Sequence, residues 1–151
     1  MFIPGLVRIT FSIPKRIKVE INKMQSPNFL FGDEIELEDV DPGIKRQILG
    51  HNDDILLVKA IFEKGAEGYQ HKHFHSQVAY VESGVFDVTI NGVTKRQKAG
   101  DCFFVEPHAM HGAVCIEAGV LLDMFSPIRE DFFENYKKGP TQNKTSEGET
   151  S

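Results

Sequence analysis

The chain has no tryptophan and only two cysteines among its 151 residues, and no apolar run approaches the ~20 residues that cross a bilayer. A soluble chain without membrane contact is the expectation. Cys102 and Cys115 both fall in apolar, strand-like segments, where a free cysteine behaves as a small hydrophobe, and a reducing cytoplasm suits them. A basic excess is also missing. The formal charge is -5 and the lysines are scattered, so the surface that would neutralise a nucleic-acid backbone is not there, and no nucleic-acid partner is expected. Residues 1–23 carry several basic residues but are interrupted at Pro4 and Pro14 and lack a small-residue cleavage site, which argues against a secretory signal. At this length one domain with a real core is expected.

Helical periodicity is scarce as well. From Glu34 onward short alternating segments follow one another between turn residues: Glu34 to Val40, Ile44 to Leu49, and the near-continuous apolar run Ile55 to Phe62, which reads as a strand buried on both faces. Val85 to Ile90 alternates, with Phe86, Val88 and Ile90 on one face. Asn91-Gly92 then predicts a type I′ hairpin into Val93 to Lys98. Phe103 to Glu106, Gly112 to Ile116 and Val120 to Phe125 continue the series, with Glu117-Ala118-Gly119 read as a tight connection. Strands at this spacing argue for a sandwich or barrel. Arg129 to Tyr136 is read as a short helix packed by Phe132 and Phe133. The division expected is an extension over 1–26, a β domain over 27–136 and a polar, disordered tail over 137–151. For residues 1–23 an extra strand at Ile17 to Ile21, an unstructured extension and a true start at Met24 all remain open.

Against this plain background, Gly65 to Gly84 is dense in chemistry. His71 and His73 are two residues apart, so on a strand both side chains leave the same face. Imidazole pairs suit zinc, nickel, copper or iron. His75 and His108 are spare histidines that could serve as alternate ligands, and His51 is read as solvated in a turn. Asp123 interrupts the apolar segment Val120 to Phe125, and a carboxylate in that place needs a metal-bound water, a cation or a proton-transfer role. The plainer readings are a salt bridge from Asp123 to Arg129 and ordinary core packing for Phe125.

The spacing Gly65, His71-x-His73, Gln77, Gly84 resembles the first cupin motif, with Gln77 standing where most cupins have glutamate. Gly100 to His111 resembles the second, with Pro107 one place late and His108 where glycine often stands. The runs H-x-H-x-H-x-Q, P-x-x-x-H-G and D-x-F-S-P-x-R-E-D-F are similar to the KdgF family of pectin-degradation cupins, over roughly Phe29 to Phe133. That resemblance implies an all-β, single-domain cupin, a double-stranded β-helix or jelly-roll barrel, with a short C-terminal helix. It implies one divalent transition metal (nickel, zinc, iron, manganese or copper) held by His71, His73, Gln77 and His111, and Asp123, Phe125 and Arg129 at the catalytic positions. The activity implied is ring opening of 4,5-unsaturated monouronates from pectin or alginate to 4-deoxy-5-hexosulose uronate. The partners are then a small anionic sugar and, because single-domain cupins commonly pair, a second copy in a homodimer. An amide at Gln77 leaves a bound ion more electropositive than glutamate would, unless Gln77 merely hydrogen-bonds. A non-catalytic sugar-binding or sensor cupin and a metal-dependent dioxygenase are the competing classes.

Overall fold

The computed structural model describes residues 24–133. The strand read at Ile17 to Ile21, the tail over 137–151 and the end of the Arg129–Tyr136 helix lie outside the described residues. Eight strands follow in order: β1 (Glu38–Asp41), β2 (Ile44–His51), β3 (Leu56–Phe62), β4 (Glu67–His71), β5 (Ser76–Ile90), β6 (Val93–Lys98), β7 (Cys102–Val105) and β8 (His111–Ser126). All their pairings are antiparallel. Among the described residues no helix is long and apolar enough to cross a membrane.

The barrel is organised by one long ladder. β5 and β8 pair from Ser76↔Ser126 to Ile90↔His111, with register shifts between Val81 and Phe86. Below the shifts, β8 continues to β3 and β5 to β7; above them, β8 pairs β4 and β5 pairs β6. Two faces thus share two bent strands around one interior, the expected all-β jelly roll. At the bend Gly84 has φ +83°, and a Cβ there would sit 2.6 Å from the Glu117 carbonyl oxygen. A Cβ at Gly119 would run into the Ser83 carbonyl. Only glycine lets the two backbones approach this closely.

That close approach corrects the sequence reading of Glu117-Ala118-Gly119. These residues do not turn the chain back; they lie inside the 16-residue β8. β3 is corrected too. Leu56, Val58, Ala60 and Phe62 are buried while the residues between them are half-buried, because only one face of this sheet looks into the barrel. The first strand begins at Glu38 rather than Glu34, since Glu34 closes a turn by donating to the Phe31 carbonyl at 2.9 Å. The Asn91-Gly92 hairpin forms as read, with φ +49° and +80°.

Two apolar clusters flank the interior. One gathers Ile44, Phe62, Val81, Phe86, Val88, Cys115 and Leu121; the other joins Leu56, Val58, Phe125 and Ile128, with Phe132 and Phe133 packed on it. The expected C-terminal helix is a single 3-10 turn, Glu130–Phe132, followed by extended backbone at Phe133. Arg129 grips Asp131 across this turn, and the two phenylalanines are pulled against Leu56 and Phe125 without a helix to carry them. Cys115 is buried as read, but Cys102 opens β7 and is exposed; both are free thiols.

Candidate metal centre and its cavity

Four side chains converge at one end of the barrel. His71 closes β4 and His111 opens β8, and the two are cross-strand partners, which sets their rings 4.4 Å apart. His73 is not on a strand as the two-residue spacing suggested: it lies in the loop between β4 and β5. Its ring still comes within 4.9 Å of His111 and 5.5 Å of His71. Ligand atoms of the three histidines all lie within 4.8 Å of one another. Loop placement works because the His108 N–H donates to the His73 carbonyl at 2.7 Å, tying the loop to the segment before β8. His108 has φ +66°, so the position where glycine often stands keeps its left-handed backbone here.

The donor set fits a cation. The Nδ1 of His71, His73 and His111 faces the carbonyls of Tyr69 (2.9 Å), His75 (3.2 Å) and Ala109 (2.9 Å). A carbonyl only accepts, so each neutral ring carries its proton on Nδ1 and presents a bare Nε2. Gln77, the second residue of β5, donates from Nε2 to Asp123 Oδ1 at 2.9 Å, which turns its Oε1 to the imidazoles. That oxygen lies 3.1 Å from Nε2 of both His73 and His111. Acceptors therefore meet acceptors. Proton uptake by the rings is opposed: burial, then the positive charge of Arg129, draws His73 down to about 4, and burial likewise lowers His111. The three imidazoles could hold a divalent ion, which would satisfy their bare nitrogens and the amide oxygen that faces them.

His75 borders the cluster, its ring 5.4 Å from that of His73, without joining the three-histidine donor set. His75 is buried and donates from Nε2 to the Ile128 carbonyl at 3.1 Å, fastening the loop to the segment that carries Arg129. His51 is the last residue of β2 rather than a turn residue, and its ring meets Phe133 at 4.9 Å.

Beside the cluster opens a cavity of about 360 Å³, whose lining includes His71, Gln77, Asp123, Phe125 and Arg129. Asp123 and Phe125 share the inward phase of β8, opposite Val58 and Leu56 on β3. Desolvation against this apolar wall pushes Asp123 up to about 6, although the Gln77 amide and Arg129 both pull the other way. Arg129 does not pair with Asp123. It grips Asp131 with Nε and Nη2 at 2.9 and 2.7 Å and lies over the Phe132 ring, 4.4 Å from its centroid. Phe125 is both core and wall: it is buried and stands edge-on to the rings of His73 and Phe132.

Residues 58–125 match the cupin domain family. The chain is 44% identical over 106 residues to the pectin degradation protein KdgF of Dickeya dadantii (strain 3937), covering 69% of this chain and 96% of that protein. The chain belongs to the KdgF family of cupins. The crystal structure of an RmlC-like cupin from Shewanella frigidimarina NCIMB 400 is similar, with 56% identity, a TM-score of 0.71, and coverage of 72% of this chain and 98% of that one. The structure of KdgF from Halomonas sp. follows at 39% identity and TM-score 0.68, covering 72% of this chain and all of that one.

One cavity residue of this KdgF-family chain escaped the sequence reading. Arg46 sits on β2 between buried Ile44 and half-buried Ile48, in the inward phase, and lines the cavity with its guanidinium over Phe132, 4.0 Å from the centroid. The signal was the one that exposed Asp123, a charge in the inward phase of an alternating strand. Without the pairing of β2 with β3, nothing showed that this phase faced a site.

Proposed function

We propose that the protein opens the ring of 4,5-unsaturated monouronates, the sugars released when pectin or alginate chains are cleaved by lyases, to give 4-deoxy-5-hexosulose uronate. The observation that carries this reading is Asp123, a carboxylate fixed by Gln77 in the wall of the cavity that the histidine cluster borders. Resemblance to KdgF proteins across most of their length supports it. The cavity is at the small end of the ~300–1,000 Å³ common for ligand pockets, which suits a monosaccharide.

In such a sugar the ring oxygen is an enol ether at C5 and a hemiacetal oxygen at C1. Asp123 takes the proton of the C1 hydroxyl; C1 becomes an aldehyde carbonyl as its bond to the ring oxygen breaks, and that electron pair stays on the departing oxygen as an enolate. Asp123 then returns the proton to C4, and C5 becomes a ketone. Atoms and electrons balance without a co-reactant. A carboxyl group poised near 6 can both accept and return a proton close to neutral pH. His71, His73, His111 and Gln77 would hold a divalent ion, which when bound would supply Lewis acidity toward a developing oxyanion. Phe125 shapes the wall against the sugar ring, and the guanidinium edge of Arg129 that Asp131 leaves free faces the uronate carboxylate.

The test is spectroscopic. The conjugated unsaturated uronate absorbs in the near-ultraviolet and the ketone does not, so absorbance should decay faster with metal-loaded protein than by spontaneous opening. Binding without faster decay would replace the enzyme by a sugar sensor, and oxygen uptake in step with decay would replace it by a dioxygenase. We also propose a homodimer, which light scattering at twice the chain mass would support and a single-chain mass would exclude.

A further inference from the structure

We propose that Arg46 is a specificity-determining residue, a second guanidinium beside Phe132 that, with Arg129, receives the carboxylate of the substrate. The inference rests on the ring-opening reading for the identity of the sugar, but its own basis is the construction of the cavity. Arg46 stands on β2 at a place where its neighbours in phase, Ile44 and Ile48, join the two apolar clusters. Its cross-strand partner on β3 is Ala60, the smallest of the inward residues Leu56, Val58, Ala60 and Phe62, which leaves room for the arginine to lie along the cavity. A charge retained in such a phase needs compensation.

Compensation by protein is incomplete. Glu38, opposite on β1, accepts from Arg46 Nε at 2.8 Å, and among the described residues the two η nitrogens have no acceptor. The side chain of Arg46 is 19% exposed, and its unpaired η nitrogens are not buried, so they open on the cavity where a ligand can replace water. Phe132 supports the plane of the guanidinium on one face. An end-on pair of η N–H groups in a fixed plane is the geometry that grips a carboxylate with two parallel bonds. Arg129 is differently committed: Asp131 already takes the Nε and Nη2 edge that would make such a fork. Both arginines lie over one ring, and of the two it is Arg46 that keeps its terminal fork open. A neutral sugar entering the cavity would leave those donors unpaired, so the site discriminates by charge as well as by shape.

Kinetics on the metal-loaded, full-length protein test this. With the unsaturated uronate, Arg46→Gln should raise KM about tenfold or more, the loss expected for a charge-assisted contact, while kcat moves far less. With the methyl ester of the same sugar, wild type and Arg46→Gln should differ by less than about threefold. Glu38→Gln separates recognition from mere pairing: it removes the competing carboxylate, so KM should hold or fall. Equal rises in KM for Arg46→Gln and Glu38→Gln, or an equal penalty on the ester, would overturn the assignment and leave Arg46 as a structural partner of Glu38. If Arg46→Gln does not fold, Arg46→Lys keeps the charge without the fork and should still raise KM, whereas unchanged KM would count against it. Calorimetric titration with galacturonate and galactose gives a readout independent of turnover. Should the wild type fail to open the unsaturated sugar, the ring-opening reading falls, but selective binding of galacturonate that is lost in the Arg46 variant would still uphold the carboxylate site; equal binding of both sugars would remove it.

Discussion

Along the β5–β8 ladder, one half turns Phe86, Val88 and Cys115 into the barrel, and the other turns Gln77, Asp123 and Phe125 inward, the inward phase of β5 shifting by one residue at the bulges between Val81 and Phe86. The apolar half closes on itself: Phe86 is fully buried and stands edge-on to Phe62, their centroids 5.2 Å apart. The polar half is left incomplete, with acceptor atoms facing one another around Gln77 and a carboxylate held by a neutral amide, without an ion-pair partner, beside an apolar wall. The side chains that only fill the interior are thus distinct from those that react, although His71 and His111 reach the site from the half that carries Phe86 and Cys115. The stabilising half needs only volume and alternation, whereas the reacting half keeps groups that folding alone would discard.

Changes in the two halves should therefore fail in opposite ways. The largest effect is expected from Phe86→Ala, which removes a buried ring from the apolar half and should cost about 3–5 kcal/mol in denaturant unfolding. Asp123→Asn should do the reverse. Ring opening should slow by about 10²–10⁴-fold, the range for loss of a general acid–base group, while metal content stays and the melting temperature holds or rises because a desolvated carboxylate is gone. A fall in stability as large as that of Phe86→Ala would erase the contrast between the halves.

Removing a metal ligand comes next. His71→Ala and His111→Ala should lose most of the metal by elemental analysis. Metal at about a hundredfold over its Kd should stabilise the wild type by about 2.7 kcal/mol, and that added stability should vanish in both variants. Full occupancy in both would undo the ligand set. The smallest effect belongs to Asp131→Asn at the rim. Its hydrogen bonds from Arg129 hold the folded carboxyl below its ordinary 3.8, so the pair adds stability above that value and loses it as pH falls through the lower folded one. Because Asp131 is 54% exposed, the loss at neutral pH should be under about 1 kcal/mol, and variant and wild type should converge in acid.

The alternation of Phe86, Val88 and Ile90 and the Asn91-Gly92 turn were legible because side-chain direction along a strand and the left-handed backbone are local properties. The histidine spacing pointed to a cluster that could hold a metal, although the same-face reason did not apply, because His73 lies in a loop. Reading Glu117 to Gly119 as a turn failed because glycines serve equally to reverse a chain and to let two strands touch, and only the position of Ser83 and Gly84 distinguishes these uses. The helix expected from Arg129 failed similarly, its residues being held by Asp131 and by packing on Leu56 and Phe125 rather than by helical hydrogen bonds.

By itself the sequence determined the all-β class and the hairpin, since each depends on neighbours a few residues away, and resemblance to the cupin motifs singled out His71, His73, Gln77 and His111 as candidate ligands. The tertiary structure decided which acceptors face one another, that Arg129 turns to Asp131 instead of Asp123, and that Arg46 enters the same cavity. Those outcomes depend on strands far apart in the chain, and the free energy of a charge or a lone pair is set by what stands within a few ångströms of it, which residue order alone does not specify.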